Sequence, residues 1–419
     1  MPEDIFNSLY QAISELPVID AHEHLYPEST RTNAEVDVFT LFSHYTQHDL
    51  RSAGMPNNEM EQLFDRNLPV KERWKIFEPY WQKIKHTCFA RPAIIAAEHF
   101  YGFDEISDKT CEALSEAIRK ANTPGIYDRV LKDACRIQAA LTVCGTTDLD
   151  TPLLIPLMEM PMVHYGDTWE AIEHPIFEPE TTVRRLDDLL EAAKRYIHRV
   201  KTEGAVGLKM LAAPYGEPSR ESALRVFDDL KEGHVKQLPE AKWSDFRLGS
   251  NPLRDYIIDE CIHTAAELDL TVAVHTGYWG DCRTLDPLHM IPLFYRHPNA
   301  RFDVFHLGYP WIRQTLLLGK NFPNVWVNLC WTHIISQECA TAAIEEALDL
   351  LPINKISAFG GDYNLPVEKV YGHLVMARED VAKALTAQIK QGRMTENKAL
   401  EIAGRWFFDN PKTLYRLKI

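Results

Sequence analysis

Five short apolar, β-prone runs punctuate this chain, and each delivers a histidine, lysine or aspartate at or near its end: VIDAHEH (18–24), VGLKM (206–210), VAVHTG (272–277), DVFHLG (303–308) and SAFGGD (357–362). Further strand candidates are ACRIQAALTVC (134–144), MVHYG (162–166) and VWVNLCW (325–331). Between them the apolar period changes from two to that of a helix. A first amphipathic helix carries Ile5, Leu9 and Ile13 on one face, and later helices are expected at 182–202 and 251–268 and through the tail after residue 366. Strands that alternate with helices predict a parallel sheet covered by helices, and about eight strands at this spacing predict a closed (β/α)8 barrel of the TIM type, an α/β fold.

The stretch between the first two strands breaks the alternation. Trp74, Phe77, Trp81 and Ile84 recur at helical spacing, and DKTCEALSEAIRKA (108–121) is amphipathic. About 100 residues without a strand exceed a plain crossover. The expected organisation is residues 1–29 as N-terminal helix and strand 1, 30–133 as an inserted helical subdomain, and 134–419 as the rest of the barrel with its C-terminal helices. The Trp74/Trp81 stripe reads as the core of that helical region.

Bulk properties narrow the classes. The chain has 419 residues and a formal net charge of -15, which disfavours nucleic acid as a partner. It has no apolar run long enough to span a membrane and no basic-then-apolar leader pattern. Eight scattered cysteines without a CxxC read as reduced thiols, so the expected location is cytoplasmic. A small-molecule substrate is expected, and a homo-oligomer fits the surface of a large barrel.

The candidate chemistry lies at the strand ends, where barrel active sites are built. Asp20, His22 and His24 alternate and so share one face of strand 1, allowing two imidazoles to chelate one ion. His275 and His306 close two consecutive strands, against the alternative of buried structural histidines. Asp362, after Gly360 and Gly361, is placed to bind metal and to accept a proton from water, against the alternative of a helix N-cap. Lys209 faces inward with Gly207. Three roles stay open to it: a carbamylated lysine bridging two metals, a cation for a substrate carboxylate, or an ion-pair partner. Arg283 follows the His275 strand and is expected to clamp a carboxylate, with Tyr278, Trp331 and His333 as pocket walls.

In these residues the chain resembles the amidohydrolase superfamily. His22-Glu23-His24, Lys209, His275, His306 and Asp362 are similar to its metal and catalytic pattern, and EIAGRWFFDNPKTLYRL is similar to the C-terminal helix of its amidohydrolase-2 branch. The resemblance implies a divalent ion, zinc by expectation, held by His22, His24, His275 and Asp362. His306 would bind a second ion or polarise the substrate, and Lys209 stands where binuclear members carry a carbamylated lysine. One ion is expected, because many members of that branch use one. The implied activity is metal-dependent hydrolysis of an amide, ester or lactone, catalysed by Asp362, His306 and Lys209. WVNLCWTH and GGDYNLPVEKVYGHLVMAR also resemble uronate isomerases, although the paired-Trp run and Arg-rich helix of those enzymes are missing. A sugar-acid isomerase and a metal-dependent decarboxylase are the alternatives.

Overall fold

A computed structural model describes residues 2–162, 167–236 and 251–419. Its strands are β1 (Val18–Glu23), β2 (Ile137–Thr142), β3 (Leu154–Glu159), β4 (Gly207–Leu211), β5 (Thr271–His275), β6 (Arg301–Val304), β7 (Val325–Asn328) and β8 (Ile356–Ser357). They form one parallel sheet in chain order, from β1–β2 to β7–β8. The ring closes just beyond β8, where Ala21 N–H donates to Phe359 O (3.0 Å), Asp362 N–H to His22 O (3.0 Å) and His24 N–H to Tyr363 O (2.9 Å). All strand residues except the exposed Gln138 are buried or half-buried, which explains the near-continuous apolar runs. Helices such as Leu186–Thr202, Pro252–Glu267 and Glu368–Lys390 cover the outside.

The third strand departs from expectation. It is Leu154–Glu159, not 162–166, of which only Met162 belongs to the described residues. Pro156 lies inside that strand, opposite Thr142. It has no N–H to give to a ladder and so weakens the sequence signal. The structure still uses its carbonyl, which accepts from Val206 N–H at 3.1 Å. β2 is also shorter than the apolar run that announced it, because residues 128–134 are helical.

Between β1 and β2 the described chain is helical, including Val70–Ile84, Arg91–Tyr101 and Cys111–Ala121. Trp74, Phe77 and Trp81 pack with Phe39 and Phe42 in an apolar cluster of their own. The helix Glu368–Lys390 docks this region on the barrel. The buried Glu368 accepts from Arg31 Nη2 at 2.8 Å and from the Tyr101 hydroxyl at 2.7 Å. No described helix is long and apolar enough to cross a membrane.

Candidate metal centre

The strand-end side chains converge at the barrel mouth. Asp362 Oδ1 lies 3.4 Å from His22 Nε2 and 3.4 Å from His24 Nε2, and Oδ2 lies 3.8 Å from His306 Nε2. Ligands bound tetrahedrally at about 2.0–2.1 Å stand roughly 3.3–3.4 Å apart, which matches the spacing of Oδ1 from the two imidazole nitrogens. The backbone orients the rings. His24 Nδ1 lies 2.7 Å from Val143 O, and His306 Nδ1 lies 3.0 Å from Cys330 O. A carbonyl can only accept, so both rings carry their proton on Nδ1 and turn the Nε2 lone pair inward. Lone pairs facing a carboxylate repel unless a cation lies among them. The donor set fits a divalent ion.

The charge states agree with this. Burial pushes the His22 and His24 pKa values down, and that of His306 to about 4, leaving neutral imidazoles. Burial alone would raise Asp362, but the surrounding His22, His24 and His306 outweigh it and hold the carboxyl well below its ordinary value. Neutral imidazoles and an ionised carboxylate are the forms that ligate metal.

The other predicted residues fall into three groups. Lys209 is buried with its Nζ 2.9 Å from His22 Nε2 and 4.7 Å from the Phe305 ring centre, and burial lowers its pKa. His275 sits one step from the Asp362 cluster, with its Nδ1 2.9 Å from His306 Nε2. Since that Nε2 is a lone pair, His275 donates its Nδ1 proton and keeps a lone pair on its own Nε2, which is buried with no protein partner. Trp331 and Tyr278 stack behind the histidines with ring centres 5.4 Å apart, and Trp331 meets His306 edge-on at 5.1 Å.

Two expectations fail on geometry. Arg283 is not brought to the mouth. Asp281, two residues earlier, captures its guanidinium at 2.8 and 2.7 Å, and the arginine side chain is 84% exposed. His333 is buried away from the histidine cluster, 2.9 Å from Asp380 Oδ2 and 3.0 Å from Ala358 O. The reason for Gly360 and Gly361 also changes. A β-carbon on Gly360 would strike Cys330 and come within 3.0 Å of His22 N, and one on Gly361 would strike the Glu23 carboxyl. The glycines let β1 and the chain after β8 approach each other.

Several further residues complete the centre. Beneath the histidines, Asp20 Oδ1 accepts from Gly361 N–H at 3.1 Å and Glu23 Oε2 from Tyr363 N–H at 2.6 Å. Burial raises both carboxyls, Asp20 to about 7, and Glu23 carries the proton between them. Above the histidines opens a cavity of about 480 Å³ whose walls include His44, Tyr45, Glu159, Lys209 and Trp279. The buried Tyr45 phenol hydrogen-bonds Asp362, and burial raises its pKa. His44 and Tyr45 come from the helical stretch, where no strand-end pattern could announce them. Glu159 ends β3 beside Lys209 in register.

Comparison with known proteins places this geometry in context. A family model described as Amidohydrolase matches residues 179–417, more than half of the chain. Protein fluG of Emericella nidulans is 22% identical over 192 residues, which is 44% of this chain and 22% of that protein. The match therefore spans less than a quarter of that relative's length. Among solved structures, the uronate isomerase of Thermotoga maritima superposes with a TM-score of 0.77 at 15% identity, over 98% of this chain and 97% of that one. The glucuronate isomerase of Caulobacter crescentus gives 0.77 at 18% identity, over 100% and 95%. At such identities the likeness establishes the shared barrel fold.

Proposed function

This chain belongs to the amidohydrolase family, and on that premise we propose that it is a zinc-dependent hydrolase of a small amide, ester or lactone. One observation carries the reading: a single ionised carboxylate oxygen, Asp362 Oδ1, stands at ligand spacing, 3.4 Å, from the Nε2 atoms of both His22 and His24. His22, His24 and Asp362 would hold the ion, with the unpartnered His275 Nε2 completing the set. When bound, the ion supplies a Lewis acid and lowers the pKa of water it carries from about 15.7 toward about 7.

The protein's own groups do the rest. Asp362 takes a proton from the attacking water and returns it to the leaving group. His306 acts as a positioning residue: held by Cys330 O, it accepts from His275 Nδ1 and fixes that ring's tautomer. Burial favours the neutral amine of Lys209, the form that hydrogen-bonds a substrate oxygen or takes up carbon dioxide as a carbamate. The test is turnover of a panel of small lactones, esters and amides in heavy-oxygen water. Hydrolysis places one solvent oxygen in the carboxylic acid that forms, and an unlabelled acid would overturn it.

A second reading, sugar-acid isomerisation, draws on a specific contact. The Tyr45 phenol meets the Asp362 carboxylate, so two proton-handling groups face one cavity. Moving a proton between adjacent carbons uses such a pair. In heavy water that reaction leaves deuterium on carbon and no solvent oxygen in the product.

A further inference from the structure

His44 combines features that the proposed chemistry at Asp362 does not use. It is not a glycine, yet it holds φ at +66°. Its ring lies 3.9 Å from that of Tyr45, nearly parallel at 28°. It walls the same cavity as His24 and Asp362. Its Nδ1 is buried with no hydrogen-bond partner. The loop that carries it is pinned. Thr46 accepts from Lys369 Nζ at 3.2 Å and donates to Phe89 O at 3.3 Å, and the Ser43 hydroxyl donates to Thr40 O at 2.7 Å.

These constraints settle the tautomer. A sealed N–H without an acceptor costs more than a sealed lone pair, so the proton resides on Nε2 and the donor is offered to the cavity. Burial lowers the His44 pKa to about 3, so the ring is neutral and recognises by hydrogen bonding, not by charge. A left-handed backbone fixed by neighbouring bonds presents this donor in one orientation, with Tyr45 stacked on it and Trp279 lining the same cavity.

We propose that His44 determines specificity, donating Nε2–H to a neutral oxygen of a hydroxylated lactone other than the group that reacts. The inference rests on the metal-centre reading above. The zinc-loaded full chain, His44→Phe and His44→Asn are compared by titration calorimetry with two probes. Acetohydroxamate reaches the ion alone, and D-glucuronolactone adds ring hydroxyls. Asparagine tolerates the left-handed backbone and restores an N–H donor, and unfolding curves and zinc content verify that each variant is intact.

The expected result is unchanged acetohydroxamate binding in all three proteins. Lactone binding should weaken about tenfold in His44→Phe, the loss of one hydrogen bond, and largely recover in His44→Asn. Equal loss of both probes in His44→Phe, or undiminished lactone binding, would overturn the role of His44. Acetohydroxamate binding without lactone binding in the unaltered chain would overturn the substrate class alone. Failure of both probes with the unaltered chain would overturn the metal-centre reading, and this inference with it.

Discussion

The two ends of this barrel bury polar groups in opposite ways. At the end where the strands begin, they are matched by backbone. Lys355 Nζ donates to Pro323 O and Val325 O, both at 2.7 Å, and to Phe322 O at 3.3 Å. Asn410 Nδ2 donates to Ile353 O and Ile356 O at 2.7 Å each, and Thr271 Oγ1 to Leu414 O at 2.8 Å. At the mouth, His22 Nδ1, His44 Nδ1 and His275 Nε2 are buried without a hydrogen-bond partner. Unpartnered imidazole nitrogens gathered at one end mark that end as the place where the protein meets something it does not itself supply. One end is stability, the other chemistry.

The largest effect should come from emptying the mouth. Replacing His22 and His24 together with Ala removes two of the three clustered donors. Metal analysis should then show the ion at background and turnover should vanish, whereas full occupancy would contradict the ligand assignment. Next comes Asp362→Asn, which keeps the shape but loses the base. Turnover should fall about a hundredfold to ten-thousandfold while much of the metal stays bound. Unchanged turnover would rule out proton transfer by Asp362.

A smaller effect belongs to the barrel interior. Asp303 accepts from Asn328 Nδ2 at 2.9 Å and from the Tyr415 hydroxyl at 2.8 Å, yet burial raises its pKa from 3.8 to about 6. Its folded-state value is raised, so the stability it contributes is present below pH 3.8 and lost as pH rises through about 6. The gap is worth at most roughly 3 kcal/mol. Unfolding midpoints measured from acid to neutral pH should therefore fall more in the wild type than in Asp303→Asn. Parallel curves would exclude the effect. Smallest of all is Arg283→Ala. An exposed ion pair with Asp281 predicts kcat/KM within about twofold of the wild type, and a large loss would show that Arg283 swings into the cavity on binding substrate.

The sequence was most legible where local pattern and chemistry coincide. β1, β4, β5 and β6 each end an apolar run with a ligand-type residue, so periodicity and function point to one register. β3 was hidden by Pro156, whose missing N–H argues against a strand that the neighbouring strands nevertheless enforce. The histidine and aspartate cluster was readable as a set of residue types, but its grouping was not. That His275 packs on His306, and that Lys209 reaches His22, depends on ring orientations that no spacing encodes. Arg283 misled because a guanidinium near a strand end is attractive chemistry, and the carboxylate two residues away that captures it draws little notice. His44 and Tyr45 arrive from a helical stretch far from any strand end, so only the folded chain brings them to Asp362.

The bonds that seal β1 against the chain after β8 join residues 21–24 to residues 359–363. During synthesis β1 therefore emerges with one flank lacking its neighbour, and that flank waits until residues 359–363 have left the ribosome. Pairing over such a separation is slow and leaves a sticky border in the meantime. The stretch that follows β8 completes the workplace that β1 began.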